Sequence, residues 1–174
     1  KIFRPSRIIS DINSNDLNLK DFYSVVLAGA IVSGYAPIET GVDNFVDVNK
    51  VSSVIAEESI NKENSNSIIH LCGKKWTAWD NIIELLEVSA KKEFKKIPYT
   101  DWVELVYKLS HEHSSLYPFK EIYPFLIGMA NSLREVFKNY HPIIDVNLNN
   151  DIDVIFTNEL IMKHYTQICK FHSV

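Results

Sequence analysis

Glycine and cysteine are both scarce in this sequence. Only five glycines occur among 174 residues, and no two of them have the spacing that a phosphate-cradling turn requires. A complete nucleotide-binding site is therefore absent from this chain. The two cysteines, Cys72 and Cys169, are too few and too far apart to indicate a disulfide framework or a zinc site, so we expect two reduced, half-buried thiols.

An excess of basic charge and long hydrophobic runs are also missing. The chain has 18 Lys and Arg residues against 22 Asp and Glu, a formal net charge of −4, without the clustered basic face that nucleic acid demands. We therefore expect no nucleic-acid partner. No apolar run approaches the roughly 20 residues of a membrane span, and the first residues lack the apolar core of a secretory signal. We expect no membrane span and a cytoplasmic location.

What is present is a chain long enough to build a core of its own. Hydrophobic residues make up 46% of the sequence, and at this length roughly 70% of the unfolded surface can be buried without the help of a disulfide or a metal. We therefore expect residues 1–174 to form a single unit.

Apolar residues recur with helical spacing in several segments. Asn18–Ser33 is predicted to form a helix that ends at Gly34, and a second helix is predicted over Val48–Ile60. The polar stretch Asn61–Ser67 predicts a flexible surface loop.

Three short stretches have the character of strands. Ile2–Ile9 contains two apolar pairs around a proline, Ile68–Cys72 has the length and branched residues of a buried strand, and Phe94–Pro98 is predicted to be extended. Together with the helices they indicate a helix-dominated α/β piece with two or three strands that belong to a larger parallel sheet.

Threonines mark the predicted starts of three later helices. Thr77 followed by Asp80 resembles a capping box, and Thr100 and Thr157 are predicted caps of the next and of the last helix. Between the last two, the pattern from Leu116 to Tyr140 is helical but contains Pro118 and Pro124. Because proline removes an amide donor, we expect two or three short helical pieces there.

Few side chains cluster in a way that indicates chemistry. His111, Glu112 and His113 are spaced two apart, so the two histidines face different sides of a helix, and a solvated helix end is predicted instead of a metal site. His141 and His164 are interpreted as surface histidines. Neither cysteine has a general base beside it in sequence, and no serine lies in a Gly-x-Ser-x-Gly elbow. The three tryptophans are interpreted mainly as core.

Several motifs nevertheless occur in a characteristic order. Phe3-Arg4-Pro5-Ser6-Arg7-Ile8, Val46-Asp47-Val48-Asn49-Lys50-Val51 and Lys96-Ile97-Pro98-Tyr99-Thr100-Asp101-Trp102 resemble, in order and spacing, motifs of the thioester reductase family of extended short-chain dehydrogenases. That family includes α-aminoadipate reductase, carboxylic acid reductases and the terminal reductase domains of polyketide, fatty-acid and peptide megasynthases. Ser6 replaces a glycine of the family pattern, and Asp47 replaces a proline.

The resemblance implies a particular part of the family fold. It implies the C-terminal, helix-rich substrate-binding part of a Rossmann-type α/β fold, with the last Rossmann strands and helices in residues 1–73 and a helical cap in 74–174. The family's Gly-rich turn, its catalytic serine or threonine and its Tyr-x-x-x-Lys pair lie upstream of Lys1. The resemblance therefore implies a fragment that is inactive alone, without catalytic or metal-binding residues.

The resemblance also implies which residues face the ligands. The residues expected near the nicotinamide of NADPH are Arg4, Ser6 and Ile8, although the upstream half would bind most of that cofactor. The residues expected near the entrance through which the thioester substrate reaches the site are Asn18, Asp21 and Phe22. Four of these six residues also have a structural interpretation: a salt bridge for Arg4, a helix start for Asn18 and Asp21, and core packing for Phe22.

The function implied is NADPH-dependent reduction of a thioester. A fatty, polyketide or aminoacyl chain held on a phosphopantetheine-bearing acyl carrier protein would be released as an aldehyde or alcohol, in partnership with the upstream half of the reductase domain. One alternative is a non-enzymatic helical docking module, favoured if Phe3, Ile8 and Ile9 are exposed or form a self-contained sheet. Another is a fatty-acyl-CoA reductase, for which a basic cluster for the 3′-phosphate would be needed and no obvious one is present.

Overall fold

The computed structural model describes residues 1–9, 17–38, 40–61, 67–139 and 155–172. Residues 62–66 of the predicted loop, and His141, lie outside this part of the chain. Among the described residues, the strands are β1 (Ile2–Pro5), β2 (Arg7–Ile9), β3 (Tyr35–Ile38), β4 (Val42–Asp43), β5 (Phe45–Asp47), β6 (Ile68–Leu71), β7 (Thr77–Ala78) and β8 (Lys95–Pro98). The helices are α1 (Phe22–Ser33), α2 (Val48–Ile60), α3 (Trp79–Ala90), α4 (Tyr99–Leu109), α5 (Tyr117–Asn139) and α6 (Asn158–His172), with a 3₁₀ turn at Ser114–Leu116.

The chain divides into two compact units. The described residues up to Ile9 and from Val42 to Thr77 belong to the first unit, and those from Leu17 to Gly41, from Ala78 to Asn139 and from Phe156 onward belong to the second. Helix α1 therefore groups with the later helices. The assignment of 1–73 and 74–174 to two functional parts stays a prediction.

The first unit is built on parallel strand pairs. Strand β1 pairs with β6, in a register that joins Ile2 to Ile68, and β2 pairs with β5. Only Ser6 separates β1 from β2. Helix α2 follows β5 directly and covers a core made of Val46, Val51, Val54 and Leu71, against which Phe3, Ile55 and Ile69 pack. The predicted strands at the start of the chain and at 68–72 are thus confirmed as parallel. The expected total of two or three strands is too low.

Helix α1 lies at the centre of the second unit. Every residue from Tyr23 to Ile31 is buried, so this helix is buried on all sides, and its residues are mainly apolar, as is typical of a core helix. It ends where predicted, because Gly34 adopts a left-handed conformation with φ 72° and its N–H bonds to the carbonyl of Ala30. Strand β3 follows at once and pairs in parallel with β8.

Four predicted helix starts differ in outcome. Helix α1 begins at Phe22 instead of Asn18. The capping box at Thr77 is wrong, because α3 begins after Ala78 and has no side-chain cap. Thr100 is also not a cap, since it lies in the first turn of α4, whose cap position is Pro98. The cap at Thr157 is confirmed by a bond from the Leu160 N–H to its hydroxyl oxygen at 3.2 Å.

The prediction of two or three short helical pieces between residues 116 and 140 is wrong. Helix α5 runs for 23 residues through both prolines. Pro118 occupies the first turn, where an amide N–H has no partner within the helix anyway. Pro124 lies inside the helix, but it and Lys120, whose carbonyl loses its bond, are both exposed. Water can solvate that carbonyl, which is why one proline does not end the helix here.

Candidate functional site

The residues predicted to face the cofactor lie along the opening strands. Arg4 is in β1 opposite His70, Ser6 lies between β1 and β2, and Ile8 is in β2. Arg4 and Ile8 are exposed and Ser6 is half-buried, with its N–H donating to the Leu71 carbonyl at 3.0 Å. The chain thus opens with strands that pair in parallel, as predicted. The Arg4 side chain on the first of them is accessible to solvent.

The salt bridge considered for Arg4 is absent among the described residues. The neighbouring arginine forms one instead: the Arg7 guanidinium is paired with the Asp43 carboxylate. The exposed guanidinium of Arg4 therefore has no anionic partner in the described part of the chain and can meet an anion from outside it.

Asn44, which the sequence analysis did not single out, connects the residue before β5 to the turn after β6 through its side-chain amide. Its side chain is buried, with 1% exposed. The amide nitrogen donates to the carbonyls of Gly73 and Lys75 at 2.9 and 2.7 Å, and the amide oxygen accepts from the Gly73 N–H at 2.8 Å. One amide thereby ties the start of β5 to the turn after β6.

We predict that Asn44→Asp lowers the free energy of unfolding by about 2 kcal/mol, because the carboxylate cannot donate to two carbonyls and leaves them unbonded inside the protein. Urea unfolding measures this loss. Asn49→Asp is the matched control: it makes the same change at an exposed position in the first turn of α2 and should alter stability by less than about 0.5 kcal/mol. Equal losses in both variants would contradict the proposed role of Asn44.

The predicted substrate residues Asn18 and Asp21 shape the start of α1. The Asp21 carboxylate accepts a hydrogen bond from the Ser24 N–H at 2.7 Å, and the Asn18 side chain accepts one from the Lys20 N–H at 3.1 Å. Asp21 is therefore the N-cap, which satisfies an amide that has no partner within the helix. The prediction that Asp21 marks a helix start is thus confirmed. Asn18 lies in the exposed turn before the helix.

Phe22, the third predicted substrate residue, belongs to an aromatic cluster. Its ring meets Trp79 edge-on at a centroid distance of 5.9 Å and Phe125 at 6.0 Å. Trp79 is buried, Phe22 is half-buried, and Phe125 is 56% exposed. Phe22 thus connects the core to the surface. Phe125 did not stand out in the sequence, because its contact with Phe22 joins residues about a hundred positions apart.

The structure buries His164, so its interpretation as a surface histidine is wrong. Only 3% of it is exposed, and its Nδ1 lies 3.0 Å from the Tyr23 hydroxyl. Leu160 and Ile168, four residues before and after it, are buried on the same side of α6. That spacing of four was the signal available in the sequence.

Burial keeps both members of this pair uncharged at neutral pH. It lowers the pKa of His164 from 6.5 to about 4, and the neighbouring charge of Lys163 adds to the effect. Burial also raises the pKa of Tyr23 well above 10, with a smaller contribution from Asp21. The pair therefore links α1 to α6 by a hydrogen bond between neutral groups.

A narrow groove lies beside the start of α1. The space between its atoms totals about 160 Å³ but is nowhere wide enough for a water molecule, and it is lined by Leu19, Val25, Ala28, Ser115, Leu116, Pro118 and Phe119. Ser115 is the one polar side chain of this lining, and none of the lining residues carries a charge. Because Val25, Leu116 and Phe119 are buried, the groove is a packing gap between elements and offers no room for a ligand.

The remaining candidate residues, which are two histidines, Glu112 and the cysteines, are exposed or half-buried. His111, Glu112 and His113 are all exposed at the end of α4, as predicted. Cys72 and Cys169 are free, half-buried thiols, also as predicted. In the described part of the chain no three His, Cys, Asp or Glu residues are placed to hold a metal ion. The described helices include none with both the length and the apolarity that crossing a membrane takes.

Comparisons with known proteins give matches among solved structures. No family model and no curated protein matches the sequence. The terminal R domain from the myxalamid PKS-NRPS biosynthetic pathway is similar over 99% of this chain and 44% of its own, with a TM-score of 0.68 and 17% identity. The PhqB reductase domain from Penicillium fellutanum is similar over 99% of this chain and 47% of its own, with a TM-score of 0.62 and 14% identity.

These likenesses confirm the predicted fold class. The chain has the α/β fold of the C-terminal, helix-rich part of a terminal reductase domain, as the motif resemblance implied. It spans less than half the length of either structure. At such low identity the likeness concerns the fold alone.

Proposed function

We propose that this chain is the substrate-binding part of an NADPH-dependent thioester reductase that releases a carrier-bound acyl chain as an aldehyde or alcohol. The observation that carries the proposal is the similarity, over 99% of the chain, to a terminal R domain of a PKS-NRPS pathway. The ordered motifs from Phe3 to Trp102 support the same assignment from the sequence side. The partners in this proposal are a phosphopantetheine-bearing acyl carrier protein and an upstream half of the domain, in the cytoplasm.

The residues of the first unit are compatible with a share in binding the cofactor. NADPH, when bound, supplies a hydride. The exposed Arg4 has no ion pair among the described residues, so its guanidinium can donate to an anionic group of the cofactor. Ser6 follows β1 directly, and Ile8 lies in β2, the next strand. The chain has no phosphate-cradling glycine turn, so most of the cofactor's contacts would come from the upstream half.

The residues of the second unit would position the substrate. Asp21 fixes the first turn of α1 through its bond to the Ser24 N–H, and this places Phe22 against Trp79. Asn18 lies in the exposed turn just before the helix, where it can donate to a polar part of the thioester arm. In this proposal residues 1–73, apart from the segment around α1, complete the nucleotide-binding sheet, and that segment joins residues 74–174 in the cap over the substrate.

The test uses the longest natural polypeptide that contains these residues. We expect it to oxidise NADPH when given an octanoyl group on a phosphopantetheine-bearing carrier protein, and to form octanal or octanol. Turnover with octanoyl-CoA alone would favour the fatty-acyl-CoA reductase alternative. Carrier binding without turnover of either thioester would favour the docking module and overturn the reductase assignment.

Arg4 gives this proposal a residue-level prediction. Arg4→Ala should raise the KM for NADPH by about tenfold with a smaller change in kcat, because a charged hydrogen bond to the cofactor is lost. Lys50→Ala, which removes an exposed cation from α2 in the same unit, is the control and should leave the KM unchanged. Steady-state rates at varied NADPH measure both. An unchanged KM in Arg4→Ala would remove Arg4 from the cofactor site.

A further inference from the structure

The sheet formed by β1 and β6 has one covered face and one uncovered face. Successive side chains of a strand point to opposite faces of its sheet. Phe3, Ile69 and Leu71 pack on the core beneath α2. The alternate residues of both strands lie on the other face and are all exposed, namely Ile2, Arg4, Ile68 and His70. This second face is here called the open face.

The open face has an apolar end and a polar end. Ile2 lies directly opposite Ile68, and the two residues are 55% and 52% exposed. Arg4 lies opposite His70, two residues nearer the carboxyl ends of the strands. Ligands of open parallel sheets bind beyond those carboxyl ends, so Arg4 stays accessible to the cofactor proposed above. The isoleucine pair is an apolar patch at the opposite end.

We propose that a helix of the upstream half of the domain covers Ile2 and Ile68 with its apolar side. This proposal rests on the proposed function and names the surface through which that partner binds. Parallel sheets are almost always covered by helices on both faces, and their strands then have apolar residues in succession. Ile68 and Ile69 are such a succession, whereas a strand with one face in water would alternate apolar and polar residues.

The size of the patch and the extent of the fold favour the upstream half over a second copy of this chain. The chain matches only 44% and 47% of the two reductase structures, so more than half of each structure lies outside the matched part. A second copy would need to bury about 800 Å² on each partner, far more than two isoleucines provide. A segment of the same polypeptide is held nearby by the chain itself, so a small apolar patch is enough to bind it.

The test identifies what lies over position 68 in the longest natural polypeptide that contains these residues. Ile68→Met, expressed with photo-methionine in place of methionine, carries a diazirine that bonds to a contacting residue on irradiation. We expect cross-links from position 68 to peptides that precede Lys1. Ile60→Met is the matched control, because Ile60 is 82% exposed at the end of α2 in the same unit, and it should give no such cross-link. Mass spectrometry of the digested protein locates the linked residues.

A charge at the same position provides an independent measurement. Ile68→Asp should lower the Tm by about 10 °C, since it places an unpaired carboxylate in an apolar contact. Ile60→Asp should lower the Tm by less than about 3 °C, because that carboxylate stays in water. The cross-links of Ile68→Met decide the question if Ile68→Asp does not fold.

The outcomes separate this interface from the proposed function. The interface would be overturned if position 68 gave no cross-link, or linked only to a second copy or to a segment after Val174. Equal Tm shifts in the two aspartate variants would overturn it as well. Cross-links to the upstream half without reduction of any thioester would support the interface and refute the proposed reductase function. Thioester reduction without such cross-links would refute the interface alone.

Discussion

Replacing Trp102 with alanine should lower the free energy of unfolding by about 4 kcal/mol, the loss typical of removing a large aromatic side chain from a core. Trp102 is fully buried, meets Phe119 edge-on at 5.5 Å, and donates from Nε1 to the Tyr35 carbonyl at 2.8 Å. The variant therefore loses apolar burial, leaves a cavity between α1, α4 and α5, and loses a hydrogen bond to β3. Urea unfolding followed by circular dichroism measures the change.

Trp102→Phe separates the ring from its hydrogen bond. It keeps an aromatic side chain but loses the Nε1 donor, and the Tyr35 carbonyl still accepts a bond from the Ser33 hydroxyl at 3.2 Å. The expected loss is about 1–2 kcal/mol, since smaller volume and one hydrogen bond account for it. A loss as large as that of Trp102→Ala would show that the hydrogen bond, not packing, makes Trp102 important.

Gly29 provides a second and independent check of this packing. A Cβ at Gly29 would lie 2.9 Å from Cζ2 of Trp102 and 3.2 Å from Val106, so Gly29→Ala should destabilise the wild type by about 1–3 kcal/mol through overpacking. In the Trp102→Ala background the same methyl group enters the cavity and should cost much less. Additive losses in the double variant would contradict the close approach of α1 to α4.

The sequence was most informative where local pattern and packing agree. Helix α2 matches its prediction at both ends, because Asp47 caps its start through bonds to the N–H groups of Asn49 and Lys50 and its apolar residues face a single core. The end of α1 was also predictable, since a left-handed cap favours glycine and Gly34 stands there.

Predictions from local sequence pattern failed at two helix starts and at one proline. Thr77 and Thr100 fit a capping pattern, but the turn into the helix occurs one residue after the first and two residues before the second, at Ala78 and Pro98. Pro118 and Pro124 were expected to divide this segment into short helical pieces, but the exposed position of Pro124 allows one helix to continue. The continuation through Pro124 depends on which side of the helix faces water, and a single sequence does not state that directly.

The candidate site was predictable only in part for the same reason. The motif resemblance led to Asp21 and Phe22, which lie at the start of a central helix as implied. Phe125 was missed because its partner Phe22 is remote in sequence. Asn44 was missed because an asparagine in a loop usually indicates a turn, while here it bonds to Gly73 and Lys75.

The buried pair of Tyr23 and His164 should make the second unit sensitive to acid. The pKa of His164 is about 4 in the folded protein and 6.5 in the unfolded chain. Above pH 6.5 both states are neutral and the stability is fully present. As the pH falls from 6.5 towards 4, only the unfolded chain takes up the proton, so the free energy of unfolding falls by about 3 kcal/mol and then levels off.

A comparison with His164→Asn isolates this contribution from that of the carboxylates, which also lose their charge in acid. Asparagine can bond to the Tyr23 hydroxyl but does not titrate. Between pH 7 and pH 4 the free energy of unfolding should therefore fall by about 3 kcal/mol less in the variant than in the wild type. Tyr23→Phe removes the hydrogen-bond partner but leaves His164 buried. Because burial is the larger cause of the lowered pKa, Tyr23→Phe should keep the wild-type pH dependence. If Tyr23→Phe instead behaves like His164→Asn, the hydrogen bond and not burial keeps the imidazole neutral.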